Sequence, residues 1–204
     1  VQEAAEHLQG EQQHEWLDKL AIEYPNIRAA ITGAVAHEQL ELMESYLANL
    51  ERFWLIRGYL AEQLQLYQSL FNLAGTARNN AILHYDYAYI LYRTGDYIGA
   101  QEQAVFAFDL ATTQADAKAI ALARHMLGIM ADETGDSELA IEHYQASMAF
   151  FQAQEDDDMI KALFNDLYVA TAHLGQDELA EYYCKQHYAL ASEQGDQRAV
   201  GIAL

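Results

Sequence analysis

Apolar residues recur three and four positions apart through most of the second half of the chain. Tyr87, Ala88 and Leu91 share one such stripe, and Ala100, Ala104, Ala107 and Leu110 share the next, with polar residues filling the positions between. That spacing places each set on one face of an α-helix. The pattern predicts a helix over about 81–94, a left-handed C-terminal residue at Gly95, and a second helix capped by Asp96. A helix, a tight turn and a helix form a hairpin that cannot cover its own apolar face, so the hairpins must stack on one another.

The hairpin repeats with a period of 40 residues. Gly95, Gly135 and Gly175 share one register, and so do Ala100, Ala140 and Ala180. Further columns join Tyr87, Leu127 and Leu167; Leu110, Phe150 and Leu190; Gln114, Gln154 and Gln194; Asp116, Asp156 and Asp196; and Ile120, Ile160 and Val200. A repeat of this length marks a stacked array of helical pairs. Asp136 caps the second hairpin on this reading and Asp177 the third, while 112–116, 152–158 and 192–197 are the return turns. Small residues at Ala88, Gly128, Ala100 and Ala140 let paired helices approach closely.

Upstream the register weakens. Residues 44–57, Gly58 and 59–74 predict an earlier, degenerate hairpin whose glycine precedes Gly95 by 37 residues and which carries Gln63 where later units have alanine. Residues 12–37 read as two helices broken at Pro25, whose fixed φ suits a first helical turn, with Trp16, Leu17, Leu20, Ile27 and Ile31 as their buried faces. The expected organisation is an N-terminal helical segment at 1–43, the degenerate hairpin at 44–80, three repeats at 81–200 and the start of a further helix at 201–204, all in one superhelical domain. A first residue that is Val1 instead of Met points to a piece of a longer protein.

Composition agrees with an all-α protein. Of 204 residues, 52% are hydrophobic and 21% charged, with a single proline, so helix propensity is interrupted at few places. The balance of 31 acidic against 11 basic side chains, a formal charge of −20, argues against nucleic-acid and anionic membrane surfaces as direct partners. No apolar run approaches the roughly 20 residues that span a bilayer. A lone Cys184 and the absence of a secretory leader fit the cytoplasm.

These repeats resemble tetratricopeptide repeats, which carry a small residue in the first helix and alanines in the second. Ala88, Gly95, Asp96, Tyr97, Ala100 and Ala107 fall on that pattern, as do Gly128, Gly135, Asp136 and Ala140, with Ser147 in place of an alanine. In the third unit Gly175 and Ala180 fit, whereas Tyr168 and His187 stand where small residues belong. The period of 40 exceeds the usual length of about 34, and the usual proline between units is missing. Longer units of this kind occur in large bacterial signalling ATPases and LuxR- or AfsR-like transcriptional regulators. Trp16-Leu17-Asp18-Lys19-Leu20, Asn26-Ile27-Arg28-Ala29-Ala30, Arg52-Phe53-Trp54 and Arg57-Gly58-Tyr59-Leu60 look like the stretch that follows the nucleotide-binding and winged-helix modules of such regulators.

The resemblance implies a right-handed superhelix whose first helices line a concave face. That face would carry Tyr85, Tyr89 and Tyr92, then His125, Ile129 and Asp132, then Asn165, Val169 and Ala172. Tyrosines are common anchors for partner segments, and they are equally at home covering a neighbouring helix with the hydroxyl in water. The lysines, arginines and asparagines with which chaperone-type grooves grip a carboxylate are mostly absent, Arg93 and Asn165 excepted, so a neutral, apolar or basic ligand fits better.

Other chemistry finds little support. His7, His14, His37, His84, His125, His143, His173 and His187 are scattered without a metal-ligand motif. Glu155-Asp156-Asp157-Asp158 lacks the spacing of a calcium loop and reads as a turn whose acids favour the next helix N-terminus. Cys184 reads as an inert buried thiol. No phosphate-binding loop or nucleophile elbow occurs, so neither catalysis nor a cofactor is expected. The primary expectation is therefore an interaction or sensor module for a protein, peptide or small molecule, or for neighbouring domains of the same polypeptide. The alternative is a structural scaffold or self-association module, a homodimer included, with no exchangeable ligand. A cryptic enzyme would require His125, Asp132 and Asp166 to converge around a pocket.

Overall fold

The computed structural model describes residues 1–8, 12–73 and 79–193. These form ten α-helices and, among the described residues, no strand. The architecture is all-α, built from antiparallel helix hairpins. Two compact units contain residues 1–79 with Arg93–Gly95, and residues 80–92 with 96–204. The expected positions 74, 194–200 and 201–204, and with them the columns through Gln194, Asp196 and Val200, lie outside the described residues.

The first unit holds α1 (Gln2–Glu6), α2 (Gln13–Ala36), α3 (Leu40–Arg57) and α4 (Leu60–Leu73). Helices α3 and α4 form the degenerate hairpin, with α3 beginning at Leu40 instead of the expected 44. Gly58 turns the chain at φ 77°, a left-handed conformation that costs glycine little, and the Tyr59 N–H closes on the Trp54 carbonyl at 2.9 Å. Met43, Leu47, Leu50, Phe53 and Trp54 of α3 pack with Leu66, Tyr67 and Leu70 of α4 and with Leu17, Leu20 and Tyr24 of α2. The buried Trp54 indole donates to the Tyr24 hydroxyl at 2.8 Å, and Tyr24 stacks on Tyr59 with ring centres 4.4 Å apart.

Two sequence expectations change here. The chain does not break at Pro25: α2 runs continuously from Gln13 to Ala36 with the proline inside it. Tertiary packing outweighs the local cost, because Leu17, Leu20 and Tyr24 before the proline and Ala34 after it are buried along one helix. Trp16, Ile27 and Ile31 are only half-buried. Gln63 does take the alanine position and is 1% exposed, with neither side-chain amide atom hydrogen-bonded. Burying an unpaired amide opposes folding, so Gln63→Met, which keeps the volume, should stabilise the chain by about 1–2 kcal/mol in urea denaturation.

The second unit stacks three hairpins: α5 (Ala81–Arg93) with α6 (Tyr97–Gln114), α7 (Ala117–Glu133) with α8 (Ser137–Ala153), and α9 (Asp157–His173) with α10 (Asp177–Glu193). Small side chains allow the close approach, since Ala88, Ala100, Ala104, Ala107, Ala111 and Ala140 are completely buried. Ser147 serves in an alanine position because its hydroxyl donates to the Ala121 carbonyl at 2.8 Å. In the third hairpin Tyr168 lies at the surface, while His187 is buried.

Asp96, Asp116, Asp136 and Asp156 cap their helices by accepting from the N–H groups of Gly99, Ala119, Leu139 and Met159. The acidic run thus contributes a cap, Asp156, and first-turn acids, Asp157 and Asp158. Asp177 is not a cap: it is the first residue of α10, and the Ala180 N–H reaches the Gln176 carbonyl at 2.9 Å, so its carboxylate acts only on the helix dipole. At the return turns Ala115 and Glu155 occupy left-handed conformations, φ 54° and 53°, that carry a steric cost for any residue with a Cβ.

One histidine outside the candidate face makes stability pH-dependent. The Nδ1 of His143 is buried without a hydrogen bond, and burial first, then the Arg124 guanidinium, hold its pKa below the usual histidine value. A lowered folded value means that the unfolded chain takes up the proton first. The resulting stability is complete above the unfolded value of about 6.5 and is lost as pH falls from there through the folded value. The melting temperature of the parent should therefore drop more than that of His143→Gln between pH 7.5 and 5.5 in matched scans.

Candidate functional site

The first helices of the three hairpins, α5, α7 and α9, carry all nine residues singled out in the sequence, and hydrogen bonds join them from hairpin to hairpin. The Tyr85 hydroxyl meets His125 Nδ1 at 3.1 Å, and His125 Nε2 meets Asp166 Oδ2 at 2.8 Å. Two helical turns further on, the Tyr92 hydroxyl donates to Glu133 Oε1 at 2.9 Å, and His173 Nδ1 lies 3.1 Å from Asp132 Oδ1. The α7–α9 joint is reciprocal. His125 of α7 faces Asp166 of α9, while Asp132 of α7 faces His173 of α9.

Burial divides the nine residues. His125 and Ile129 are buried, 4% and 8% exposed, so they belong to the interior of the joint more than to an open face. Tyr85, Tyr89, Tyr92, Asp132, Asn165 and Val169 are half-buried, and Ala172 is exposed. Tyr89 lies 6.4 Å from Tyr92, ring centre to ring centre, and Tyr92 lies 5.9 Å from Tyr97. Asn165 donates to Asp166 at 3.4 Å, a weak contact, and Asp132 also accepts from the Ser137 hydroxyl at 2.6 Å.

The column-by-column reading did not pick out Glu133, His173 or Tyr144, although a signal for the first two exists. Contacts across a joint connect residues 41 apart: His125 with Asp166, Tyr92 with Glu133, and Asp132 with His173. Complementary residues in neighbouring columns therefore carry the information that identical columns do not. Tyr144 comes from α8. Its ring lies over Gly128, where an added Cβ would fall 2.5 Å from Cε1, and its centre is 6.1 Å from that of His125.

The face is electronegative where the acids gather. Burial raises the Tyr144 hydroxyl well above the usual tyrosine value, and Asp166 and Asp132 add to the rise. Tyr92 is likewise raised, first by burial and then by its bond to Glu133. Both phenols stay protonated at neutral pH, as donors and not as nucleophiles. His125 and Asp166 meet, but Asp132 is engaged elsewhere by His173 and Ser137, so the three groups do not converge. Among the described residues, no three His, Cys, Asp or Glu side chains lie together as a metal site. No helix among them is long and apolar enough to cross a membrane.

No protein-family model matches the sequence, and no curated protein matches it. Solved structures do. The chain is similar to BtubC from P. vanneervenii, with a TM-score of 0.63 at 14% identity, covering 87% of this chain and 74% of that one. It is also similar to the MamA protein, with a TM-score of 0.52 at 16% identity over 88% and 90% of the two chains. A putative kinesin light chain from Podosopora anserina with nearly identical TPR-like repeats gives 0.52 at 15% identity over 89% and 98%. At these identities the likeness establishes the fold, a tetratricopeptide-like α–α superhelix.

Proposed function

We propose that this chain is a non-catalytic protein-interaction module that receives a partner segment on the face formed by α5, α7 and α9. The observation that carries this reading is a half-exposed set, Tyr89, Tyr92, Asn165 and Val169, mounted on helices that are cross-linked by side-chain hydrogen bonds. Rigid aromatic groups provide contact area at small entropy cost, and a braced surface loses little freedom on binding. The tetratricopeptide-like fold supports the assignment. The resemblance of the N-terminal stretch to bacterial regulators supports a place in a cytoplasmic signalling or transcription regulator, where the bound partner would shift a neighbouring module between two states. Such a shift requires different affinity for the two.

A photo-crosslinking residue placed at Tyr89 or Val169 in the full-length protein tests the reading against one placed at Glu142 on α8. Cross-links to one partner from the first two positions and not from Glu142 support it; equal labelling from all three sinks it. The scaffold reading is favoured by a different observation, that Tyr85, Tyr92, Asp132 and Asp166 all bond within the array. It predicts cross-links only to the neighbouring domains of the same polypeptide or to a second copy.

A further inference from the structure

The second helix of the first hairpin, α6, carries large apolar side chains where its counterparts carry polar or small ones. Ile98 is 76% exposed, Phe106 47% and Val105 42%. The spacing of Ile98, Glu102, Val105 and Asp109 lines them along one stripe, with Phe106 beside it. Forty residues further on, Ile98, Val105 and Phe106 are replaced by Glu138, Gln145 and Ala146 of α8, all exposed, and after eighty by Glu178, Lys185 and Gln186 of α10. Stacking of hairpins therefore does not call for apolar groups at these positions. The stripe is also braced. The buried His84 imidazole of α5 lies 4.4 Å from the Phe106 ring, centre to centre, and its Nδ1 meets Gln103 Oε1 at 2.7 Å. An aromatic ring already held in place loses little freedom when a partner covers it. Glu102 and Asp109 complete the stripe. No lysine or arginine occurs anywhere in α6, and among the described residues neither acid enters an ion pair.

We propose that this stripe docks an amphipathic helix of another protein, one whose apolar residues recur at helical spacing and whose flanks carry lysine or arginine. Apolar anchors three, four and seven positions apart cover Ile98, Val105 and Phe106, while cationic flanks reach Glu102 and Asp109. Charge complementarity selects this occupant. A second copy of the chain is a poor match: pairing Ile98 with Val105 of an antiparallel α6 sets Glu102 beside its own counterpart, and each chain carries a charge of −20. The stripe lies on a second helix and contains none of the residues of the α5/α7/α9 face, so it stands or falls independently of that face.

The test is a titration of the full chain with the fluorescein-labelled peptide Ala-Leu-Lys-Gln-Ala-Leu-Lys-Gln-Leu-Lys-Gln-Ala-Leu-Lys, read by anisotropy and by backbone amide shifts. Two controls accompany it, a shuffled peptide of the same composition and a version with glutamate for each lysine. The lysine peptide is expected to bind about tenfold more tightly than either control and to shift amides along α6. Ile98→Glu with Val105→Gln, the residues found one hairpin later, should abolish that preference while the circular dichroism spectrum and melting temperature stay unchanged. Glu102→Gln with Asp109→Asn should lower it about tenfold with the apolar groups intact. Equal binding of the shuffled peptide overturns the proposal, because charge alone then suffices. So do shifts confined to α7 and α9, a preference that survives the Ile98 and Val105 changes, or no binding at millimolar peptide. Sedimentation of the chain without peptide covers the other occupant: a dimer that Ile98→Glu dissociates assigns the stripe to a second copy and overturns the heterologous partner.

Discussion

Replacing Pro25 with alanine stabilises the first unit by about 2–3 kcal/mol, an uncommon direction for a mutation inside a helix. Pro25 has no N–H, so the Ala21 carbonyl loses its helical donor, and the pyrrolidine ring crowds that same carbonyl. The residue is exposed, so alanine removes no buried contact. Restoring the donor and relieving the crowding is worth about 3 kcal/mol, offset by up to about 1 kcal/mol because alanine leaves the unfolded chain freer than proline does. The helix tolerates the proline because the neighbouring Tyr24 is anchored to Trp54 and stacked on Tyr59. Urea unfolding followed by far-ultraviolet circular dichroism measures the gain. A loss of stability would mean that the chain turns at residue 25, as the sequence pattern alone suggests.

Gly128→Ala has the opposite sign. The new methyl carbon would sit 2.5 Å from Cε1 and 2.6 Å from Cδ1 of Tyr144, far inside carbon–carbon contact. Tyr144 is buried, so its ring can move only by displacing its neighbours, His125 among them. Overpacking of this kind costs about 3 kcal/mol, which outweighs the ~1 kcal/mol that alanine gains over glycine within a helix. A double-mutant cycle isolates the cause: in a Tyr144→Ala background the same Gly128→Ala change should become neutral or stabilising. An undiminished cost in that background would show that something other than the ring sets the limit.

The Gly128–Tyr144 pair also shows how far a repeat can be read from its columns. In the first hairpin the same two positions are Ala88 and Ala104; in the third they are Tyr168 and Cys184. Each column by itself looks irregular. Taken across the pair, the glycine that looks like a degenerate small residue is the counterpart of a large ring. The αL positions behave similarly, since Ala115 and Glu155 adopt the conformation that the sequence marks openly only with Gly195 in the same register.

What the sequence determined by itself is what depends on local order: the hairpin boundaries at Gly95, Gly135 and Gly175, the Asp96 and Asp136 caps, and the apolar stripes that require stacking. These follow from backbone geometry and helical periodicity, which act over a few residues and so leave a mark in the spacing. Tertiary structure alone decided the continuity of α2 through Pro25, the burial of Gln63 without a partner and the ladder from Tyr85 through His125 to Asp166. Each is settled by contacts between distant segments. A propensity of one to three kcal/mol, roughly what a proline or an unpaired amide costs, yields to the burial of several side chains at once. A hydrogen bond between residues 41 apart leaves no trace in any single column, because its two partners belong to neighbouring columns and differ in type.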